Sequence, residues 1–126
     1  MSMVVQTDEQ LSIEIVHAAR AVHTTLGPGF VEPVYSKAFG FELHSRGLLV
    51  QREKLIRIFY GANVVGRHYL DPIVDNRVII ELKAARTINP LHEAQMRSYL
   101  TATQYLWGLI INFGNVELEW KQILRL

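Results

Sequence analysis

The sequence contains no cysteine, and that absence removes several kinds of chemistry at once. Disulfide bonds, zinc–thiolate centres and cysteine nucleophiles are all excluded. No apolar stretch approaches the roughly 20 residues that span a bilayer, and the opening MSMVVQTDEQ lacks the basic start and long apolar stretch of a signal peptide. We therefore expect a cytoplasmic protein that makes no membrane contact.

An excess of charge of one sign is also missing, since 13 lysines and arginines are balanced by 12 acidic residues for a formal net charge of +1. A wide, sequence-independent hold on nucleic acid usually requires a basic surface. Any such hold here must be local. Its best candidate is a basic cluster formed by Arg52, Lys54, Arg57 and Arg67.

Linkers, repeats and low-complexity segments are absent as well. A chain of 126 residues, 49% of them apolar, is typical of one domain with one sizeable core. We predict a single domain over residues 1–126, of which residues 1–7 are flexible.

Two amphipathic helices are predicted at the start of the chain. Thr7 can cap the first, because Gln10 stands three positions on, as in a capping box. Its apolar positions at helical spacing are Leu11, Ile15, Ala18, Ala19 and Val22. The turn GPGF (27–30) ends it, and a second helix is predicted over about 31–46. The apolar positions of this second helix are Val34, Ala38, Phe41 and Leu43.

The pattern changes to that of strands after about residue 49. Segments 49–61, 63–75 and 77–84 are rich in β-branched and aromatic residues and are separated by turn-like residues. Asn89-Pro90 opens a third helix, about 90–103. Its buried candidates are Leu91, Ala94, Met96 and Leu100. Two further strands, the first a continuous apolar run, complete the order ααβββαββ, which predicts an α/β (α+β) fold with one mixed β-sheet flanked by helices.

Two charged residues interrupt the apolar third strand, RVIIELKAAR (77–86). Side chains alternate between the faces of a strand, so Glu81 and Lys83 share one face, about 7 Å apart. Asp71, in the preceding strand, is followed by Pro72, which places it at an edge, bulge or bend. Antiparallel pairing of the two strands can bring Asp71 beside Glu81.

Two carboxylates with a nearby lysine suit phosphodiester hydrolysis. Asp71 and Glu81 offer the oxygen ligands that Mg²⁺ prefers, and Lys83 could orient an attacking water or offset developing negative charge. The structural alternative is a solvated Glu81–Lys83 ion pair, which would contribute only about 0–1 kcal/mol. Taken alone, the pair favours this second interpretation.

Four segments resemble a known family. The run from Asp71 to Lys83, DPIVDNRVIIELK, resembles the D…(D/E)-x-K signature of the PD-(D/E)XK nuclease superfamily. QMRSY (95–99) resembles the Q-x-x-x-Y element of its exonuclease-like branch. GFVEPVY (29–35) and LIINFG (109–114) resemble segments of the GxxExxY proteins, a small bacterial and archaeal family in that superfamily. The resemblance covers about residues 10–125.

The resemblance implies a restriction-endonuclease-like core and a Mg²⁺- or Mn²⁺-dependent nuclease that attacks phosphodiesters with a metal-activated water. It implies metal ligation by Asp71, Glu81 and Glu32, and catalytic work by Lys83 with Asp71 and Glu81. Gln95 and Tyr99 would complete this catalytic group by steadying the site or meeting the phosphate backbone. The partner would be nucleic acid, with DNA favoured over RNA. One departure is Pro72, where the family pattern leads us to expect an aliphatic residue.

Each of these residues also has a structural interpretation. Tyr99 could cover the sheet, and a carboxylate at Glu32 is favoured in the first turn of any helix. His68 and His92 lie near the site in sequence and are not assigned to it. As a whole, the chain could be a catalytically inactive nuclease-fold binding or interaction module. A homodimer is a further possibility, through a C-terminal strand carrying Val116, Leu118 and Trp120.

Overall fold

Three helices and seven strands make up the part of the chain that the computed structural model describes, residues 6–125. The helices are α1 (Asp8–Leu26), α2 (Glu32–Ser45) and α3 (Pro90–Thr101). The strands are β1 (Val50–Gln51), β2 (Lys54–Tyr60), β3 (Asn63–Leu70), β4 (Ile73–Val74), β5 (Val78–Lys83), β6 (Trp107–Asn112) and β7 (Glu119–Leu124). Of the residues predicted to be flexible, 1–5 lie outside this range.

Five of the strands form one mixed sheet in the order β1-β4-β5-β6-β7. β5 and β6 run parallel and are connected through α3, whereas the other neighbouring strands pair antiparallel. β2 and β3 form a separate antiparallel hairpin. The α/β fold with a mixed sheet flanked by helices is therefore confirmed, with the hairpin as an addition to it.

Two hydrophobic layers enclose the sheet. Val78, Ile80 and Leu82 of β5 pack with residues of α1 and α2 on one face. Ile79 packs on the other face with residues of α3 and of the hairpin. Each fully buried side chain of this kind stabilises the fold by roughly 1.5–3 kcal/mol. The alternation confirms the predicted two faces of β5 and leaves Glu81 on the α3 side.

The start of α1 is formed as predicted. The Thr7 hydroxyl accepts a hydrogen bond from the Gln10 backbone N–H at 3.1 Å, and the Gln10 side chain accepts one from the Thr7 N–H at 2.9 Å. These two bonds satisfy backbone donors that the first helical turn would otherwise leave unpaired. The five predicted apolar positions of α1 are all buried.

The buried face of α2 was predicted only in part, since Leu43 is buried and Ala38 packs against the core as expected. Val34 and Phe41 are exposed, and the residues that enter the core are Tyr35, Phe39 and Leu43. The latter three lie four residues apart and so form one stripe along the helix. Because α2 carries apolar residues on two stripes, hydrophobicity alone did not decide which of them faces the sheet.

Leu91 and Ala94 of α3 are likewise exposed rather than buried, whereas Met96 and Leu100 are buried as predicted. The buried stripe of α3 is Met96, Tyr99 and Leu100, at the i, i+3, i+4 spacing of one helical face. Leu91 and Ala94 are five and two residues before Met96, which turns both of them away from that face.

Two of the predicted strands are each divided. Segment 49–61 gives β1 and β2, separated at Glu53, whose φ is +50°. Segment 63–75 gives β3 and β4, separated at Asp71-Pro72. A left-handed residue and a proline both interrupt a regular ladder. These two breaks let β2 and β3 leave the sheet together as a hairpin.

The C-terminal strand begins later than predicted. Val116 and Leu118 lie in the loop before β7, and Leu118 packs partly against the core. The apolar strand face expected from Val116, Leu118 and Trp120 is therefore not formed.

Between residues 6 and 125, no helix combines the length and apolarity needed to cross a membrane.

Candidate active site

One cleft of about 460 Å³ collects side chains from widely separated parts of the sequence. It lies where the N-terminal end of α2, the Asp71 bend, the end of β5 and one face of α3 meet. Its lining includes every residue predicted to act in the site: Glu32, Asp71, Glu81, Lys83, Gln95 and Tyr99. The structure therefore brings all six residues together. The first and last of them in the sequence, Glu32 and Tyr99, are 67 positions apart.

The register of β4 and β5 places Asp71 next to Glu81. Ile73 pairs with Ile79 and Val74 with Val78. Asp71 precedes this pairing by two residues, the Ile80 N–H donates to the Pro72 carbonyl at 3.0 Å, and Asp71 is close enough for its charge to raise the pKa of Glu81. This hydrogen bond lies just before β4 begins, and the Pro72 carbonyl can accept it although the residue has no N–H to donate.

Glu81 is mostly buried and is contacted by Lys83, whose Nζ lies 3.5 Å from its Oε2. Burial raises the pKa of the Glu81 carboxyl above its usual value, and Lys83 opposes this without overcoming it. Glu32 and then Asp71 add to the rise, because each places negative charge nearby. Glu81 is therefore a carboxylate whose charge the protein does not fully compensate.

Asp71 is held by Arg52, a residue that no sequence pattern places here. The Arg52 Nη1 donates to Asp71 Oδ1 at 2.9 Å and to the Ser36 hydroxyl at 3.1 Å, and Nη2 donates to the Ser36 carbonyl at 2.9 Å. A Cβ at Gly40 would collide with this guanidinium. Gly40 and Ser36, four apart on α2, therefore make the seat in which Arg52 lies.

The GFVEPVY segment divides into a turn, a cleft residue and an anchor. Gly29 has φ +116°, which only glycine adopts without strain. Glu32 is the first residue of α2 and is exposed at the cleft. Tyr35 is buried; its hydroxyl donates to the Gly27 carbonyl at 2.5 Å, and its ring stacks on Phe113 at 4.8 Å. Tyr35 thus joins the turn before Glu32 to the segment that follows β6.

Tyr99 and Gln95 share the α3 face that meets the cleft, with Tyr99 buried and Gln95 exposed at the rim. Burial raises the pKa of the Tyr99 phenol to about 12, and the charge of Glu81 contributes to this. The Tyr99 ring stacks on His68 at 4.8 Å between centroids. His68, which was not assigned to the site from the sequence, therefore does line the cleft, whereas the other unassigned candidate, His92, caps α3 through Asn89.

Asn112 fixes the chain that leaves β5 after Lys83. Its fully buried side chain accepts from the Ala85 N–H at 2.9 Å and donates to the Ala85 carbonyl at 3.0 Å and to Glu119 Oε1 at 2.8 Å. Gly114 lies so close to Ala84 and Ala85 that a Cβ there would collide with their backbone. These contacts account for the LIINFG segment: it clamps the end of the strand that carries Glu81 and Lys83.

The two central acids are each engaged by a basic side chain, Asp71 by Arg52 and Glu81 by Lys83. Across residues 6–125, no three histidine, aspartate or glutamate side chains are grouped as a ready-made metal centre. The cleft nevertheless offers hard carboxylate oxygens, which are the ligands that Mg²⁺ and Mn²⁺ prefer. The carboxylate oxygens of the cleft are therefore suitable ligands for such an ion. In the structure, Asp71 and Glu81 are held by their ion pairs with Arg52 and Lys83.

Comparison with known proteins gives a consistent result. A family model described as the PD-(D/E)XK nuclease superfamily matches residues 9–123. An alkaline exonuclease (LHK-Exo) from Laribacter hongkongensis has a similar structure, with 13% sequence identity and a TM-score of 0.54 over 97% of this chain and 72% of that one. SSO0001 is also similar, with 20% identity and a TM-score of 0.58 over 93% of this chain and 57% of that one. At these identities the two likenesses concern the fold. No curated protein sequence matches the chain.

Proposed function

The chain belongs to the PD-(D/E)XK nuclease superfamily, and from this premise we propose that it is a divalent-metal-dependent phosphodiester hydrolase acting on nucleic acid. The observation that carries the proposal is the convergence of Glu32, Asp71, Glu81 and Lys83 on one cleft. The arrangement of Gly29, Glu32 and Tyr35 further supports membership of the GxxExxY group. We favour DNA over RNA as the substrate.

Asp71, Glu81 and Glu32 would hold the metal, which we propose to be Mg²⁺ or Mn²⁺. The raised pKa of Glu81 supports this, because a divalent cation would supply the charge compensation that Lys83 provides only in part. When bound, such an ion lowers the pKa of a water molecule and offsets charge on a phosphoryl oxygen. An ion shared with Asp71 would compete with Arg52 for the same carboxylate.

Lys83 is the proposed catalytic cation. Hydrolysis joins a water oxygen to phosphorus and releases a sugar oxygen, so negative charge builds up on the phosphoryl group. The Lys83 Nζ lies at the cleft beside Glu81 and can donate to the attacking water or to that developing charge. β5 fixes its position, since the Lys83 carbonyl accepts from the Phe113 N–H at 2.8 Å.

Tyr99 and Gln95 are proposed to hold the substrate. With a pKa of about 12, the Tyr99 phenol stays protonated at neutral pH and can only act there as a neutral donor or acceptor. It is therefore suited to hydrogen bonding rather than to proton abstraction. Gln95, one turn earlier at the exposed rim, can donate its amide to a phosphate oxygen.

Cleavage of end-labelled DNA and RNA with Mg²⁺ or Mn²⁺ tests the proposal. Lys83→Ala and Glu81→Ala are expected to lower the cleavage rate about 10²–10³-fold. Lys121→Ala is the matched control, because Lys121 also pairs with a glutamate, Glu93 Oε2 at 3.1 Å, but does not line the cleft. Equal cleavage by wild type and by both cleft variants, all purified in the same way, would mean that a contaminating nuclease causes the cleavage.

A binding module on the same fold is the second candidate. The ion pairs of Asp71 with Arg52 and of Glu81 with Lys83 favour it, since they partly neutralise both acids without any metal. Titration calorimetry with Mg²⁺ and Mn²⁺ separates the two candidates. Heat of binding that disappears in Glu81→Ala supports the hydrolase, whereas oligonucleotide binding without metal binding supports the module.

A further inference from the structure

The β2–β3 hairpin has an inner side that is packed and an outer side that is not. On the inner side, Ile56 and Leu70 are buried with residues of α3 and β6, and His68 stacks on Tyr99. Lys54 is anchored there as well, because its Nζ donates to the Tyr105 hydroxyl at 2.8 Å. The hairpin is therefore packed against the body of the protein through its inner side, and residues of β2 line a shallow cavity with the segment 102–105 that follows α3.

The opposite side is exposed, and we call it the outer hairpin face. In the register of the hairpin, Leu55 pairs with Tyr69 and Arg57 with Arg67. Directly paired residues share one face, as do residues two apart on the same strand. The outer hairpin face consists of the exposed side chains Leu55, Arg57, Phe59, Val64, Arg67 and Tyr69, with a β-bulge just before the Phe59–Val64 pair.

The charge on this face is unusual, because two arginines stand directly opposite each other. Like charges in that position destabilise a strand pair. Among residues 6–125, neither Arg57 nor Arg67 makes an ion pair with an acidic side chain. The basic cluster foreseen in the sequence is thus divided: Arg52 and Lys54 are engaged by Asp71 and Tyr105, and these two arginines remain directed at solvent.

We propose that the outer hairpin face binds a single-stranded segment of nucleic acid and leads it to the cleft, an inference that rests on the proposed function. Phosphates would compensate Arg57 and Arg67, and the exposed rings of Phe59 and Tyr69 on either side are available for stacking by unpaired bases. The arginines can thus bind the phosphates of a single strand while the exposed aromatic rings stack on its bases. A duplex would leave the rings without stacking partners.

The face is continuous with the candidate active site. Tyr69 belongs to the outer hairpin face and also lines the cleft, together with Asp71 two residues later. From Leu55 to Phe59 the face extends about 13 Å, at about 3.3 Å per residue, which is enough for a few nucleotides. A strand lying on it would therefore arrive directly at the acids proposed to act on phosphate.

A second copy of the chain suits this surface less well. A two-fold contact through the outer hairpin face would bring the arginine pairs of both copies into one interface. Four guanidinium groups would then be desolvated together without acidic partners, which is unfavourable. The charge on the face thus selects an anionic partner over a self-complementary one.

The test separates binding from cleavage by using full-length protein that carries Lys83→Ala, in EDTA. Fluorescence anisotropy with labelled oligodeoxythymidylate measures affinity after the further substitution Phe59→Ala, Tyr69→Ala, Arg57→Ala or Arg67→Ala, and after Arg57→Ala and Arg67→Ala together. Arg20→Ala is the matched control, since Arg20 is an exposed arginine on α1 outside the cleft and the hairpin. Thermal melting and sedimentation show whether each variant keeps its fold and oligomeric state.

Each aromatic variant is expected to weaken single-strand binding about five-fold or more. Removal of both arginines is expected to lower the slope of log affinity against log salt by about 1.4, or about 0.7 for each phosphate that is no longer neutralised. Arg20→Ala should change neither quantity. In wild type, the same hairpin variants should slow cleavage of a single strand through a higher KM.

Other outcomes overturn the inference in distinguishable ways. If the hairpin variants keep their oligonucleotide affinity and wild type shows normal metal-dependent cleavage, the outer hairpin face does not bind the strand and the proposed function stands. Reduced affinity in those variants with no cleavage by wild type removes the proposed function and keeps the surface. An equal reduction for a matched duplex overturns the single-strand assignment, and a changed oligomeric state assigns the face to a second copy.

Discussion

Arg52 forms an ion pair with Asp71, which lines the cleft, and its Nη1 lies 2.9 Å from Asp71 Oδ1. The two residues are 19 positions apart in the sequence. On α2, Ser36 accepts hydrogen bonds from the Arg52 guanidinium and Gly40 leaves space for it. A basic side chain thus already occupies the carboxylate that would have to bind a divalent ion. Arg52 and the metal are therefore expected to compete for Asp71.

Arg52→Ala is expected to bind Mn²⁺ about two- to five-fold more tightly, measured by calorimetry. Removing the guanidinium frees Asp71 and removes a repulsive charge, and the pair is partly exposed, so the gain is that of a surface ion pair, about 0.5–1 kcal/mol. Arg77→Ala is the control, because Arg77 pairs with an aspartate at a distance from the cleft, Asp8. Weaker metal binding in Arg52→Ala would show that Arg52 supports the site instead.

Gly40→Ala is expected to reproduce that gain in metal affinity without loss of stability. The new Cβ displaces the flexible end of Arg52, while alanine inside α2 favours the helix by about 1 kcal/mol over glycine. Gly114→Ala provides the contrast, because its Cβ would meet the rigid backbone of Ala84 and Ala85 and cost about 1–3 kcal/mol or more. Thermal melts of the two variants moving in the same direction would contradict this explanation.

Glu81→Gln is expected to lower the cleavage rate about as much as Glu81→Ala does and to raise the melting temperature at pH 7. Glu81 has a raised pKa in the folded protein, so the folded state holds this proton more tightly than the unfolded state does. Stability therefore falls as pH rises from about the unfolded value of 4.5 through the folded pKa, and glutamine removes that loss.

Melting curves of Glu81→Gln and wild type from pH 4 to 8 check this sign. The two should converge at the acidic end and separate toward neutral pH. Added Mg²⁺ should stabilise wild type and leave Glu81→Gln unchanged, since a ligand stabilises only the state that binds it. A variant less stable than wild type at every pH would show that the Lys83 contact outweighs the burial of Glu81.

Asn112→Ala is expected to destabilise the protein by about 1–3 kcal/mol, because it leaves the buried N–H and carbonyl of Ala85 without partners. It should also act on Glu119, whose pKa is lowered chiefly by the hydrogen bond from Asn112. A depressed carboxyl pKa adds stability above the unfolded pKa, which is lost as pH falls through the folded one. NMR titration should find the pKa of Glu119 higher in Asn112→Ala; an unchanged pKa would argue against the clamp.

Strand periodicity was enough to predict the centre of the site. Alternation along β5 placed Glu81 and Lys83 on one face, and the antiparallel pairing of β4 with β5 brought Asp71 close to Glu81. The family resemblance supplied Glu32, Gln95 and Tyr99, for which the residues alone favoured structural roles. All of these residues line the cleft.

Other features depend on contacts that leave no local pattern. Nothing near Arg52 in sequence points to Asp71, since the pair exists only because Gly40 leaves room for a guanidinium on α2. The hairpin leaves the sheet because of the breaks at Glu53 and at Asp71-Pro72, each a single residue or dipeptide within an otherwise strand-like run. Hydrophobicity therefore located the strands but not their partners.

The parallel stacking of Tyr35 on Phe113 has one more consequence. Since the Tyr35 hydroxyl also holds the Gly27 carbonyl, the lip of the cleft that bears Glu32 is tethered to the interior rather than suspended on a surface loop. A substitution that removes the Tyr35–Phe113 contact should therefore shift the Glu32 carboxylate and, under the proposed function, lower activity, although neither aromatic residue contacts the phosphate. Under the proposed function, the inactivating substitutions are therefore expected to include some at residues that neither carry charge nor contact the substrate.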